Sequence, residues 1–338
     1  MKKEKKGKRY GALSMNLGGD GGEINLVCPV DKCLEVYSTK SIYQVYTPES
    51  LDPKETNPNM PAMARNISKI GTSNRIVARI MVQNYQIIDS HGFLSQEGKV
   101  LFATHLRDIM NAMLSCSDVC NAISDRVSEV EKQVISNGIQ SKGNVFTEFP
   151  TIDGLEEKIT LFLTKAKQAI QRIIDIFNIF YGSTIPSTNP RIDELVKWSN
   201  KNCIATDVID TLKHFEPIAK YIVDLRNRQE HPKEKYTLEF SDFTVLPNGE
   251  ISVPLWGMEV AKHSIHKEMN VLIKEFVAFI EWLVINIVLS KEEKGPLFEL
   301  RVFQIPDDQM DLDCPIKYRV ETCFRQDGEH LATRDERT

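Results

Sequence analysis

Arg226 and His231 stand five positions apart in the run Leu225-Arg226-Asn227-Arg228-Gln229-Glu230-His231-Pro232. A fixed cation beside a group that titrates near neutrality is the minimum equipment for cleaving a phosphodiester without a metal. In RNA, His231 would take the 2′-hydroxyl proton or protonate the leaving 5′-oxygen. Arg226 would neutralise the charge that builds on the phosphorane, and the product would be a 2′,3′-cyclic phosphate. Asn227 adds a hydrogen-bond donor and acceptor beside the arginine. Arg228 and Lys233 are the flanking cations expected to contact such a substrate.

The backbone must bring the pair together. On an ideal helix, positions five apart lie about 140° from each other, so a helix running through both would separate them. Pro232 alters this, because a residue before proline is pushed out of the α region. The helix is therefore expected to stop near Glu230, letting His231 turn back toward Arg226. The partial negative charge of a helix C-terminus favours the protonated imidazole there. A plainer reading stands beside this one, in which Arg226, Arg228 and Glu230 are the solvated end of a helix and His231-Pro232 is its stop signal.

The elements that would carry this run follow from hydrophobic period. From about residue 93 the spacing is helical. Val100, Leu101, Ile109, Met110, Met113 and Leu114 begin a stripe that Val119, Ile123, Val127, Val130 and Val134 continue, with a break expected near Ser115 to Ser117. Asp153 and Glu156 have the spacing of a capping box, ahead of a helix that keeps its apolar face from Leu155 to Phe180 and stops at Gly182. A short helix is expected over 191–200 and another through Val208, Leu212 and Phe215. Pro217 would then open the helix that buries Ile218, Ile222 and Leu225. After the motif the period becomes two. Tyr236, Leu238 and Phe240 face Ile251, Val253 and Leu255 across Pro247-Asn248-Gly249, a β-hairpin over 235–256. A last long helix is expected over 258–290.

Residues 1–92 read differently, as a small irregular module containing β-strands, with strands expected over 24–27 and 41–46. Its basic stretch Arg65, Lys69, Arg75, Arg79 reads as a solvated helix face or strand edge before it reads as an RNA-binding patch. Residues 296–338 form a short β-containing extension, with strands over 297–304 and 316–324 and a polar tail. The fold class is thus mainly α, a helical domain over 93–295 with an inserted hairpin and β-containing additions at both ends.

Composition narrows the chemistry. The 338 residues are 41% apolar and 26% charged, those of an ordinary globular chain large enough for two domains. A net charge of −5 gives no global attraction to nucleic acid, so RNA contact needs a local patch. Seven cysteines form an odd set without a regular framework, which points to free thiols and a cytoplasmic location. No apolar run follows the basic start, so no signal peptide is read. The most apolar window, 271–289, carries Lys274, Glu275 and Glu281, too many charges for an ordinary membrane span.

No cofactor or metal is called for. Cys28 and Cys33 have half-site spacing for zinc but no second pair completes four ligands, and Cys116 and Cys120 fit core packing. His263 and His266 read as a surface face at the start of the last helix. Asp307-Asp308, Asp311 and Asp313 read as a solvated acidic turn, and Gly18 to Gly22 lacks the residues of a phosphate loop.

The helical stretch 93–290, with Arg226-Asn227 and His231 closing its penultimate long segment, resembles the HEPN superfamily, whose members carry an arginine, a polar residue and then a histidine. The resemblance implies a helical bundle and a metal-independent endoribonuclease of toxin-antitoxin, abortive-infection or other bacterial antiviral defence systems. It also implies a homodimer in which Arg226, Asn227 and His231 of two subunits form one composite cleft, RNA as substrate, and an antitoxin or defence-system protein as partner. Some members have lost catalysis and serve as RNA-, nucleotide- or protein-binding modules. Toxins controlled by partner nucleotidyltransferases carry a tyrosine two residues after the histidine, where this chain has Lys233, so that mode of control is not expected.

Overall fold

The computed structural model describes residues 21–137, 141–142, 145–146, 149–188, 191–232, 236–258, 261–292 and 297–325. It is mainly helical with strands, 55% helix and 19% strand. Two compact units divide it, residues 1–104 with 281–338 and residues 105–280, so the N-terminal module and the C-terminal extension fall in one unit.

The first unit opens with an antiparallel sheet of β1 (Ile24–Val30), β2 (Cys33–Ser38), β3 (Ile42–Tyr46) and β4 (Met63–Ser68), in that order. Along β1 the period of two is plain, with Leu26, Cys28 and Val30 buried. β2 escaped the sequence reading because four consecutive residues, Glu35 to Ser38, are buried, which erases the alternation. Buried Glu35 is satisfied by Tyr37 and Gln44 on the sheet. After α1 (Pro48–Leu51) and β4, a π-helical segment, Val77–Gln83, runs into α2 (Asn84–His91), which Gly92 ends at φ 66°. Arg65, Lys69 and Arg75 are exposed, but Arg79 turns to a buried carboxylate, so the basic stretch is not a single face.

The division between units falls inside α3 (Gln96–Asn137) and again inside α7 (Ile265–Lys291). In the second unit α3 is unbroken at Ser115 to Ser117, contrary to the sequence expectation. Ser115 Oγ donates to the Asn111 carbonyl, which satisfies the hydroxyl within the helix. A short antiparallel pair, β5 (Ser141–Lys142) and β6 (Val145–Phe146), follows. α4 (Leu155–Tyr181) buries the expected face and ends at Gly182, φ 64°, but the capping box is absent. Gly154, in the left-handed region, holds the N-cap position, and the Asp153 carbonyl accepts from Lys158 Nζ.

α5 (Ile192–Lys201) lies where the short helix was expected. α6 (Thr206–Glu230) corrects the reading of two helices, since it continues through Pro217. Pro217 sits on the exposed side, where the hydrogen bond it cannot make to residue 213 is least costly, and Leu212, Phe215, Ala219 and Ile222 are buried on both sides of it. Phe215 stacks on Phe279 with ring centroids 3.9 Å apart and meets Phe276 edge-on.

The inserted β segment holds more strands than a hairpin. β7 (Glu239–Ser241) and β10 (Leu255–Met258) pair, β8 (Thr244–Val245) and β9 (Ile251–Ser252) form the tip, and β11 (Ala261–Ser264) pairs on the far side of β10. Residues 258–264 were expected in the last helix, yet α7 begins only at Ile265. Gly257 explains the difference: a Cβ there would lie 1.9 Å from the Ala261 carbonyl oxygen, so glycine permits the close β10–β11 approach.

Beyond α7, β12 (Phe298–Gln304) and β13 (Tyr318–Phe324) form an antiparallel pair in the first unit, over the two segments expected to be strands. β13 is tied down by Gln83, whose Oε1 accepts from the backbone N–H groups of Lys317 and Tyr318 at 2.6 and 2.8 Å. Gln83 Nε2 donates to Glu281 Oε1 at 3.0 Å, and Arg79 completes the cluster with a two-pronged contact to the same carboxylate. The polar tail lies outside the described residues. Among the described residues no helix is long and apolar enough to cross a membrane.

Candidate functional site

The last turn of α6 distributes the motif side chains around the helix, as a rotation of about 100° per residue requires. Leu225 points inward and is fully buried, which anchors the turn. Arg226, with 11% of its side chain exposed, is held within the chain: Nη1 donates to Gln229 Oε1 at 2.7 Å and Nη2 pairs with Glu230 Oε1 at 2.5 Å. Gln229 is itself fixed by α4, donating to Thr160 Oγ1 at 2.6 Å, and Lys167 of α4 stands 4.0 Å from Glu230 Oε2. This face of α6 therefore carries a network of one amide, one carboxylate and two cations.

Arg228 takes a different direction. Its guanidinium carbon lies 4.1 Å from the centre of the Tyr236 ring, a cation–π contact, while its Nε and Nη1 are buried without a hydrogen-bond partner. Lys233, the second flanking cation named from the sequence, lies outside the described residues.

His231 closes the helix. Its N–H donates to the Asn227 carbonyl at 2.9 Å, and its backbone leaves helical geometry at φ −131° and ψ 62°, as expected of a residue before proline. The imidazole is exposed and makes no side-chain hydrogen bond among the described residues. Asn227 lines a cleft of about 330 Å³ between α5 and α6. Within one chain Arg226 is thus committed to Gln229 and Glu230, Asn227 opens onto the α5 side, and His231 stands at the exposed end.

The α5–α6 cleft was not read from the sequence. Glu216, Lys220, Asp224 and Asn227 recur along one face of α6 at helical spacing, and Ala219, Val223 and Ile192 supply its apolar lining. Across it, Arg191 pairs with Asp193 at 2.7 Å and with Glu194 at 2.8 Å. Burial pushes the Asp193 carboxyl up, but hydrogen bonds from Arg191 and Lys197 and their charges hold it below its ordinary value overall. A second cleft, about 380 Å³, lies between α3 and α4, where Arg172 pairs with Asp108 at 3.1 Å and with Asp175 at 2.8 Å.

The remaining sequence candidates go to structural places. Cys28 and Cys33 are buried at the β1–β2 hairpin, and Cys33 Sγ donates to the Val30 carbonyl. Burial raises the Cys116 thiol to about 12 and also raises Cys120. His263 is exposed on β11, while His266 opens α7. Among the described residues no group of three or more His, Cys, Asp or Glu could hold a metal ion. No family model, curated protein or solved structure matches the chain.

Proposed function

We propose that the chain is a metal-independent endoribonuclease of the HEPN type, with the helical unit as its bundle and a second copy supplying the opposite half of a composite cleft. The observation that carries this reading is the end of α6. Pro232 breaks the helix where an acid/base must leave it, and His231 is exposed five positions after Arg226, its imidazole making no hydrogen bond among the described residues. His231 acts on the 2′-hydroxyl or the leaving oxygen. Arg226 meets the phosphorane by exchanging its contacts with Glu230 and Gln229 for phosphate oxygens, which a guanidinium can engage with two nitrogens at once. Arg228 is the adjacent substrate contact. On this reading the protein acts in bacterial defence or as a toxin, with RNA as substrate and an antitoxin or defence-system protein as partner.

One observation favours a second reading, a catalytically silent HEPN-like module that binds RNA, a nucleotide or a protein. Arg226 is already satisfied inside the chain by Gln229 and Glu230.

Purified wild type and His231→Ala, assayed on total RNA in EDTA, separate the two. A loss of about 10²- to 10⁴-fold in cleavage with unchanged RNA binding is expected of an acid/base residue. Binding without cleavage in either protein would favour the silent module. A variant as active as wild type would overturn the nuclease reading.

A further inference from the structure

We propose that the cleft between α5 and α6 is a nucleobase subsite that selects guanine in the RNA strand presented to His231, an inference that rests on the nuclease reading for its RNA but not for its chemistry. The cleft measures about 330 Å³, at the small end of ligand sites, and suits one nucleoside rather than an oligomer.

Its lining decides what that occupant is. Arg191 and Lys220 are its cations, and Asp193, Glu216 and Asp224 its carboxylates, so the lining is net negative and repels a phosphate as principal occupant. Arg191 and Asp193 also neutralise each other. What α6 presents is then two carboxylates without a hydrogen-bond partner among the described residues, Glu216 and Asp224, with an ammonium at Lys220 and an amide at Asn227. Ala219, Val223 and Ile192 offer an apolar surface for the face of a ring.

A planar base meets those requirements, and the edges of the four bases differ. A carboxylate with both oxygens unpaired accepts two parallel hydrogen bonds. Guanine alone carries two adjacent donors, N1–H and the exocyclic N2 amine, on its Watson–Crick edge. Its O6 and N7 are acceptors that an ammonium or an amide N–H satisfies. Adenine and cytosine place an acceptor beside their amine, and uracil has a single donor flanked by acceptors, so each leaves a carboxylate oxygen facing an acceptor. Asp224 is the carboxylate one turn from Asn227 and hence nearest in sequence to the motif. The inference therefore assigns it the N1/N2 edge, with Lys220 and Asn227 on the acceptors. Because the Asn227 carbonyl also accepts the His231 N–H, a base seated here is tied through one residue to the histidine backbone.

The test uses deoxytetranucleotides that differ only in one central guanine or adenine; without a 2′-hydroxyl they cannot be cleaved by transesterification. Fluorescence anisotropy on the full chain should give about ten- to a hundredfold tighter binding of the guanine form, the discrimination expected of one bidentate base contact. Asp224→Asn, half-buried and isosteric, should bring the two affinities together, with the circular dichroism spectrum showing that the fold is intact. Equal affinities in the wild type, or a preference that survives Asp224→Asn, would overturn the inference. Cleavage-site mapping keeps it apart from the nuclease reading. RNA cleaved without guanine bias, together with equal affinities, refutes the subsite and leaves the nuclease. Guanine discrimination without any cleavage upholds the subsite and refutes the nuclease.

Discussion

Glu281→Ala should release β13 from the first unit, and the cost can be worked from the groups it strands. Glu281 is fully buried and receives Arg79 through two nitrogens and Gln83 Nε2 at 3.0 Å, while the Arg79 side chain keeps 20% exposure. Removing one partner of a buried pair costs about 3–5 kcal/mol, because the remaining charge stays desolvated. Partial exposure lets Arg79 recover some hydration, which places it near about 3 kcal/mol. The Gln83 amide then loses its acceptor and adds about 1–3 kcal/mol. Since Gln83 Oε1 is the acceptor for the Lys317 and Tyr318 amides, its displacement reaches β13 directly.

Amide hydrogen exchange at Tyr318 is the assay, since it reports the opening of this region rather than of the whole chain. A loss of about 4–6 kcal/mol corresponds to exchange faster by roughly three to a little over four powers of ten. The double variant Arg79→Leu/Glu281→Leu should recover the Arg79 part of the loss, about 3 kcal/mol, because apolar replacement of both partners leaves only Gln83 unpaired, at about 1–3 kcal/mol. Exchange in Glu281→Ala within tenfold of wild type, or a double variant no better than the single, would refute the account.

In the second unit, His266 lies below its ordinary 6.5, first through burial, then through Lys267, against a smaller opposing pull from Glu131. The unfolded chain therefore binds the extra proton more readily, and stability present above pH 6.5 is lost as pH falls through the lower folded value. Urea titrations between pH 7 and 5 should show this slope, and His266→Gln should flatten it; an unchanged slope would dismiss the group. Gly257→Ala should break the β10–β11 approach and cost at least about 1–3 kcal/mol, because the added carbon would meet the Ala261 backbone 1.9 Å away. A wild-type melting temperature in that variant would count against the close contact. A thiol reagent at neutral pH should label exposed Cys203 in the native protein and spare Cys116, whose thiol burial raises to about 12. Peptide mapping that finds Cys116 modified before unfolding would contradict that burial.

Features that repeat along the chain were legible, and features made by distant partners were not. α4 and α7 could be read because apolar residues recur at helical spacing, as Ile159, Phe162, Leu163 and Ala166 do, and burial follows that spacing. Pro217 misled, since its local cost is outweighed by buried Phe215 and Ala219 on either side, a tertiary effect no window of sequence contains. The capping box misled for the opposite reason, because Gly154 supplies the helix start without a side chain. Arg79 and Glu281 are 202 positions apart, and the only trace of their pairing was a glutamate inside the most apolar window. At the site, the helix end at His231 was legible through Pro232. The Arg226–Glu230 pair follows from i,i+4 spacing. The stripe Glu216, Lys220, Asp224, Asn227 has the same helical spacing, but each residue alone has the character of solvated surface, and only the packing of α5 against α6 turns it into a cleft.

The Arg226–Glu230 contact looks at first like the strongest argument against catalysis, yet its energy is too small to decide the matter. An i,i+4 ion pair with Glu230 more than a third exposed is worth about 0.3–0.5 kcal/mol. Trading it for a phosphate costs little beside the charge-assisted bonds gained, and Lys167, 4.0 Å from the same carboxylate, remains to hold Glu230 once Arg226 departs. Charge count is the harder constraint. Around the end of α6 the Glu230 carboxylate and the partial negative charge of the helix terminus offset about half of the charge of Arg226, Arg228 and Lys167, so one copy presents only a modest attraction to an RNA backbone. A second copy facing the first would double the guanidinium groups around one phosphate and set each exposed imidazole against the cations of the other copy. The nuclease reading therefore stands on association of two α6 ends more than on any rearrangement within one.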